Sequence, residues 1–214
     1  MPRRSVAAVK QSRAQVIDIA VRRASVDGLD GLTIGRLADE AAMSKSGLFG
    51  LFGDKEQLQL ATLEAGVELF RREVLDAALE VEPGRARLLT LCERWLAFHE
   101  RETLPGGCFM TTVMVEFDAR PGALKRAASR SMRRWLDLLE REAALAIERG
   151  ELTTEITPAD IAFQLNALAS AASTSYLLFE DPRAFHAARR SMLRILAVEP
   201  PGEGTQTVRR DAAE

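Results

Sequence analysis

Apolar residues recur every three or four positions along nearly all of this 214-residue chain, and no stretch of strand length alternates cleanly. Such spacing commits the chain to helices that each bury one stripe. An all-α fold follows. The composition, 47% hydrophobic and 28% charged, is that of a chain able to bury a core. No apolar run approaches the roughly 18 residues of a membrane span. The basic N-terminus MPRRSVAAVKQSR is not followed by the apolar segment of a secretory signal. Two cysteines and two histidines are too few for a structural zinc site or a disulfide framework. A cytoplasmic protein without metal, cofactor or membrane partner is therefore expected.

Punctuation sets the helix limits. Ile17, Ala20, Val21 and Ala24 form the stripe of a first helix over 12–27, closed by the Gly28–Gly31 turn. Thr33 is placed to cap a second helix over 34–41, without a Glu or Gln at Arg36 to complete a capping box. Ser44 caps a short third helix ending near Phe52, and Asp54 caps a fourth. That fourth helix reads as one run over 55–79, with Leu58, Leu63, Val67, Phe70 and Val74 on its buried side. Glycines and prolines delimit further helices over 85–100, 107–118, 122–149, 157–179 and 182–197. The domain reading is a flexible basic arm over 1–11, a helix-turn-helix unit over 12–56, a larger helical unit over 57–197, and a disordered tail over 198–214.

Two short helices joined by a few residues and packed on a preceding helix have the geometry that reads a DNA major groove. The formal net charge of the whole chain is −2, so any nucleic-acid surface must be local. One exists: up to residue 23 the chain carries Arg3, Arg4, Lys10, Arg13, Arg22 and Arg23 against Asp18 alone. Ser44, Lys45, Ser46 and Gly47 form the first turn of the third helix, the end that meets base edges, and Lys45 can donate to guanine O6 and N7. Lys55 lies where unpaired amides and the helix dipole already attract a phosphate. Leu48 and Phe52 should point inward. The Arg3-Arg4 arm either enters a minor groove or is a disordered terminus.

The segment LTIGRLADEAAMSKSGLFGLFGDKEQL, residues 32–58, resembles the TetR family of transcriptional regulators. The matching positions are Thr33, Leu37-Ala38, Ala42-Met43-Ser44, Leu48-Phe49, Phe52 and Lys55-Glu56. Two differ from the family pattern. Ala42 stands where the turn glycine is usual, a cost of about 1 kcal/mol if its φ is positive. Phe49 stands where a tyrosine is usual and lacks the hydroxyl that would meet a phosphate. The resemblance implies contact with a double-stranded DNA operator through Thr33, Arg36, Ser44, Lys45, Ser46, Gly47, Phe49 and Lys55. It further implies that the rest of the chain binds a small-molecule effector and forms a homodimer.

Within that larger part, GGCFMTTVMVEF (106–117) is apolar on nearly all faces and reads as a central helix. Glu116 is its anomaly: it emerges near the helix end into solvent, or pairs with Arg120, or orients a polar group of the ligand. Trp95, Phe98, His99, Phe109, Met110, Met114 and Trp135 either fill the core or line a pocket for an apolar or aromatic molecule. Cys92 and Cys108 lack metal spacing, which leaves redox sensing as their one special role. Small residues over 157–179 and an apolar face after Pro182 point to self-association through Ala162, Leu165, Ala169, Ala172, Phe185, Met192, Leu193 and Leu196, unless these pad the monomer core. The functional expectation is a ligand-responsive regulator, a repressor released from a palindromic operator by its effector. An activator or an all-α protein-interaction module is the alternative. No nucleophile–base pair, paired carboxylates or phosphate-binding glycine loop supports an enzyme.

Overall fold

A computed structural model describes residues 6–152 and 155–197, and among these every regular element is helical. In chain order they are α1 (Val6–Asp27), α2 (Ile34–Glu40), α3 (Lys45–Phe52), α4 (Lys55–Phe70), a π-helical turn (Arg71–Leu75), α5 (Asp76–Leu79), α6 (Arg85–Glu100), α7 (Phe109–Phe117), α8 (Ala123–Glu148), α9 (Pro158–Phe179) and α10 (Arg183–Ile195). Arg3, Arg4 and the 198–214 tail lie outside the described residues. Residues 6–11, expected in a flexible arm, instead extend α1 by almost two turns. Ala7, Ala8, Lys10 and Gln11 are good helix formers, and a helix already fixed by its buried stripe extends through them at little cost.

Side-chain caps start the helices where the sequence places them. Thr33 Oγ1 accepts from Arg36 N at 3.3 Å, Ser44 Oγ from Gly47 N at 3.0 Å, and Asp54 Oδ1 from Gln57 N at 2.8 Å. Thr157 and Asp160 form a reciprocal capping box at α9. The single helix expected over 55–79 is interrupted: Asp76 N donates to the carbonyl of Arg71, five residues back. No periodicity signals such a π turn, because the apolar stripe continues through Phe70 and Val74.

Leu37 and Ala38 of α2 and Leu48 and Phe52 of α3 are buried with the α1 stripe, so the first three helices share one small core. It is continuous with the main core, where α4 packs on α1 and α8, α6 on α8, and α9 between α8 and α10. Where the chain turns into α6, the buried Glu142 carboxylate of α8 accepts from Gly84 N at 2.8 Å and Arg87 at 2.9 Å.

The residues expected to meet a second chain belong to this core. Ala162, Leu165, Ala169, Ala172, Phe185, Met192 and Leu196 are buried within the chain, and only Leu193 is partly accessible. Small side chains on α9 let α8 and α10 approach it, so that stripe packs the monomer. The opposite face of α9 carries an exposed stripe, Phe163, Ala167, Ala171, Thr174 and Leu178, in which both Phe163 and Leu178 are 70% exposed.

Two core features carry testable costs. Ala42 has φ +51°, with its N–H bonded to Asp39 O and that of Met43 to Ala38 O. This is the Schellman closure of α2, in which glycine usually holds the left-handed position. Ala42→Gly should raise stability by about 0.5–1 kcal/mol, read as a higher urea midpoint at unchanged slope. His99 is 4% exposed, neither ring nitrogen has a hydrogen-bond partner among the described residues, and burial pushes its pKa down to about 4. The unfolded chain then binds the extra proton between about pH 6.5 and 4. Stability should be complete above pH 6.5 and fall by on the order of 3 kcal/mol as pH drops to 4. His99→Phe should flatten that limb in a series of urea melts across this range.

Candidate nucleic-acid interface and ligand cavity

Helix α3 begins with an exposed turn. Lys45, Ser46, Phe49 and Gly50 face solvent, while Leu48 and Phe52 anchor the opposite side. Ser44 Oγ is taken up by its cap and by Ser46 Oγ at 3.2 Å, so it fixes the turn. Thr33 is likewise an exposed cap, and Arg36 pairs with Asp27 at 3.4 Å. Lys45 makes no ion pair among the described residues, and its side chain lies along Gly35 of α2. The geometry therefore leaves Lys45, Ser46 and Phe49 available on one protruding edge. The ring of Phe49 is 55% exposed, a large apolar side chain presented to solvent.

Lys55 has a second task that its position in sequence does not reveal. Its Nζ donates to Asp30 O at 2.7 Å, and Gln59 Nε2 donates to Leu29 O at 3.0 Å. The amides of the same two residues donate to Glu116, Leu29 N to Oε2 at 2.7 Å and Asp30 N to Oε1 at 2.6 Å. Glu116 thus neither pairs with Arg120 nor reaches a cavity; Arg120 pairs with Asp30 instead. The turn between α1 and α2 is held from α4 on one side and α7 on the other. Gly28, at φ +74°, makes room: a Cβ there would stand 2.8 Å from the Glu116 carboxylate.

Behind that turn, α4, the π turn, α6, α7, α8 and α9 enclose a cavity of about 230 Å³. Trp95, Phe98, Phe109, Met110 and Trp135 line it as expected. His99 does not, being buried elsewhere in the core, and Met114 faces a separate groove against α8 with Phe117 and Leu136. Glu116 is absent from the walls for the reason just given. The residue missed was Phe70, whose ring meets Trp135, Phe98 and Trp95 edge-on at 5.2, 5.9 and 6.0 Å. Trp95 and Trp135 also meet each other edge-on at 4.9 Å. Phe70 read as one more member of a helical stripe; the π turn beginning at Arg71 follows it directly. Gly66 lets α4 close on α7, since a Cβ there would meet the Phe109 ring at 2.4 Å.

Polar atoms among the cavity residues lack partners. Trp95 Nε1, Trp135 Nε1 and Asn166 Oδ1 are buried without a hydrogen bond among the described residues. An unmatched buried polar group costs about 1–3 kcal/mol, which makes this the least satisfied region of the interior. Arg71 and Arg134 are the charged residues of the lining. Burial pushes the Cys92 thiol up to about 12 and raises that of Cys108, so neither is a thiolate at neutral pH and the redox-sensing role has no chemical support. No group of three His, Cys, Asp or Glu that could hold a metal occurs among the described residues. Nor is any described helix long and apolar enough to cross a membrane.

This arrangement has relatives. Residues 16–62 match the family model described as bacterial regulatory proteins, tetR family, and residues 84–192 match that of the tetracyclin repressor-like C-terminal domain. No curated protein matches the chain in sequence. Among solved structures, a TetR transcriptional regulator from Chloroflexus aurantiacus J-10-FL superposes with a TM-score of 0.81 at 20% identity, over 89% of this chain and 96% of that one. A TetR-family regulator from Cytophaga hutchinsonii gives 0.78 at 18% identity, over 93% and 100%. AibR, solved in complex with isovaleryl coenzyme A and operator DNA, gives 0.68 at 19% identity, over 89% and 100%. With both its N-terminal and its C-terminal domain matched, the chain belongs to the TetR family of transcriptional regulators.

Proposed function

We propose that this protein is a repressor that binds a palindromic operator as a homodimer and leaves it when a small apolar or aromatic effector enters the cavity. The observation that carries the reading is the doubly held Leu29–Asp30 turn, which ties the helices around the cavity to the helices that present α3. Support for an effector comes from the unmatched polar atoms and aromatic walls of the cavity. AibR, a relative in fold, binds both an acyl-coenzyme A and an operator.

In this reading Lys45 meets a base edge, Ser46, Gly47 and Phe49 approach the same groove, and Thr33, Arg36, Ser44 and Lys55 set the position of α3 at the phosphates. The second copy covers the exposed α9 stripe from Phe163 to Leu178. Two-fold symmetry then places two α3 helices about 34–36 Å apart on one face of the duplex, and the operator repeats with the same symmetry. An effector between α4 and α7 displaces Phe70 or Phe109, and the displacement reaches the turn through Lys55, Gln59 and Glu116. The π turn makes α4 a lever with a soft end at the cavity, because its hydrogen bonding has an alternative α-helical register.

Lys45→Ala should cost about 1–3 kcal/mol on the operator and less on random DNA, in competition titrations against a scrambled duplex. Lys55→Ala should weaken both duplexes in proportion and speed amide exchange at Leu29 and Asp30. Equal loss of specificity from the two substitutions would remove α3 from the groove.

The pair Phe163→Glu and Leu178→Glu should convert a dimer of twice the 23.5 kDa chain mass to a monomer in light scattering. The same change should abolish protection of a two-half-site operator. A wild-type chain that scatters as a monomer at micromolar concentration would refute the dimer.

A further inference from the structure

We infer that the cavity takes a compact apolar carboxylate: a one-ring or two-ring body among the aromatic residues, with its acid group held by Arg134 at the mouth. The inference rests on the effector reading above and adds the ligand's chemical class. Size sets the body. An engineered apolar cavity of about 150 Å³ holds benzene, so the 230 Å³ enclosed here admits a substituted ring or two fused rings. Phe70, Trp95, Phe98, Phe109 and Trp135 supply flat walls for it.

Charge and hydrogen bonding set the head group. No Asp or Glu lines the cavity, whereas Arg71 and Arg134 both do. Arg71 is already neutralised by Glu68 and Asp76. Arg134 makes no ion pair or hydrogen bond among the described residues, and it lines the cavity from the exposed side of α8 beside Ser131, one turn before it. The buried Trp95 and Trp135 indoles can only donate, and neither N–H has an acceptor. A carboxylate brings acceptors and no donor, which matches a guanidinium and two indole N–H groups and leaves Asn166 Oδ1 as an unmatched lining acceptor that it does not serve. An ammonium ligand would meet the same donors and an uncompensated arginine. Aromatic walls alone do accept cations, but here they come without the acidic residue that would neutralise one.

The chain's two tryptophans both wall this cavity, so their emission reports entry directly. The full-length protein is titrated with 4-tert-butylbenzoate, its amide, and the corresponding benzylammonium, which share one body and differ in the head group. Displacement is followed in parallel on a genomic fragment that the protein itself selects. The expected result is that the benzoate binds at least tenfold tighter than the amide, that the ammonium does not perturb the emission, and that the benzoate releases the DNA. Arg134→Gln, at an exposed position that the core does not need, should bring the benzoate to the level of the amide and leave the amide unchanged. Should the amide or the ammonium bind best and free the DNA, the carboxylate assignment is overturned while the effector reading stands. Should the benzoate bind best, lose affinity in Arg134→Gln, and leave the DNA bound, the ligand class stands and effector release falls. If none of the three perturbs the emission, both are overturned.

Discussion

Four side-chain hydrogen bonds around one turn determine what this molecule can do. The peptide groups of Leu29 and Asp30 direct their N–H groups to the Glu116 carboxylate, and their carbonyls accept from Gln59 and Lys55. Leu29 is wholly buried and its backbone polar groups must be matched within the protein, while Asp30 stands at the solvent-exposed edge of the same turn. The partners come from two different helices beyond residue 54. The small N-terminal core is thereby joined to the larger one by directional bonds, where apolar contact alone would let it slide. Such bonds hold a specific geometry and weaken steeply when their angle is poor.

The two gripping helices both end at the cavity. On α7, Phe109 lies at the cavity and Glu116 at the turn, about two helical turns apart. On α4, Lys55 and Gln59 reach the turn while Gly66, Val67 and Phe70 reach the cavity. The close approach at Gly66 leaves no slack between α4 and α7 at that point, so in the proposed mechanism a body that overfills the cavity beside Phe109 shifts one helix relative to the other. Relative motion of α4 and α7 is what the four bonds cannot absorb, because each helix holds a different side of the same two peptide groups. The proposed release mechanism needs no longer path than this.

Much of this was legible in the sequence, and the failures share one cause. Caps at Thr33, Ser44 and Asp54, the inward Leu48 and Phe52, and most helix limits follow from local chemistry and were read correctly. Partners distant in sequence were not. Glu116 stood out as a carboxylate in an apolar helix, yet its partners are 86 and 87 residues away and are backbone amides, which leave no trace in residue identity. The α9 stripe shows the same limit: small residues announce close helix packing on both faces, and periodicity does not say which face meets α8 and which meets solvent. Phe70 and the π turn were hidden because a one-residue change in hydrogen-bond register leaves the apolar pattern intact.

Charge bears on how an acidic protein can hold DNA. The N-terminal cluster of basic residues is smaller in the fold than in the sequence. Arg23 is tied to Glu40 at 2.6 Å, Arg36 to Asp27, and the Arg13 guanidinium lies 5.1 Å from the Phe52 ring centroid. These contacts fasten α1 to α2 and α3, and the charges of Arg23 and Arg36 are largely neutralised before any phosphate arrives. Lys10, Arg13, Arg22, Lys45 and Lys55 carry no ion pair among the described residues and remain to displace counterions. The slope of binding against salt scales with the number of phosphates they neutralise. In the proposed dimer two copies double that number, and specificity would then rest on contacts that salt does not screen, for which the Phe49 ring, the Ser46 hydroxyl and the backbone at Gly50 are exposed. The fold thus places its available charges beside the exposed first turn of α3, and in the proposed dimer the second copy would double the contacts that hold the operator.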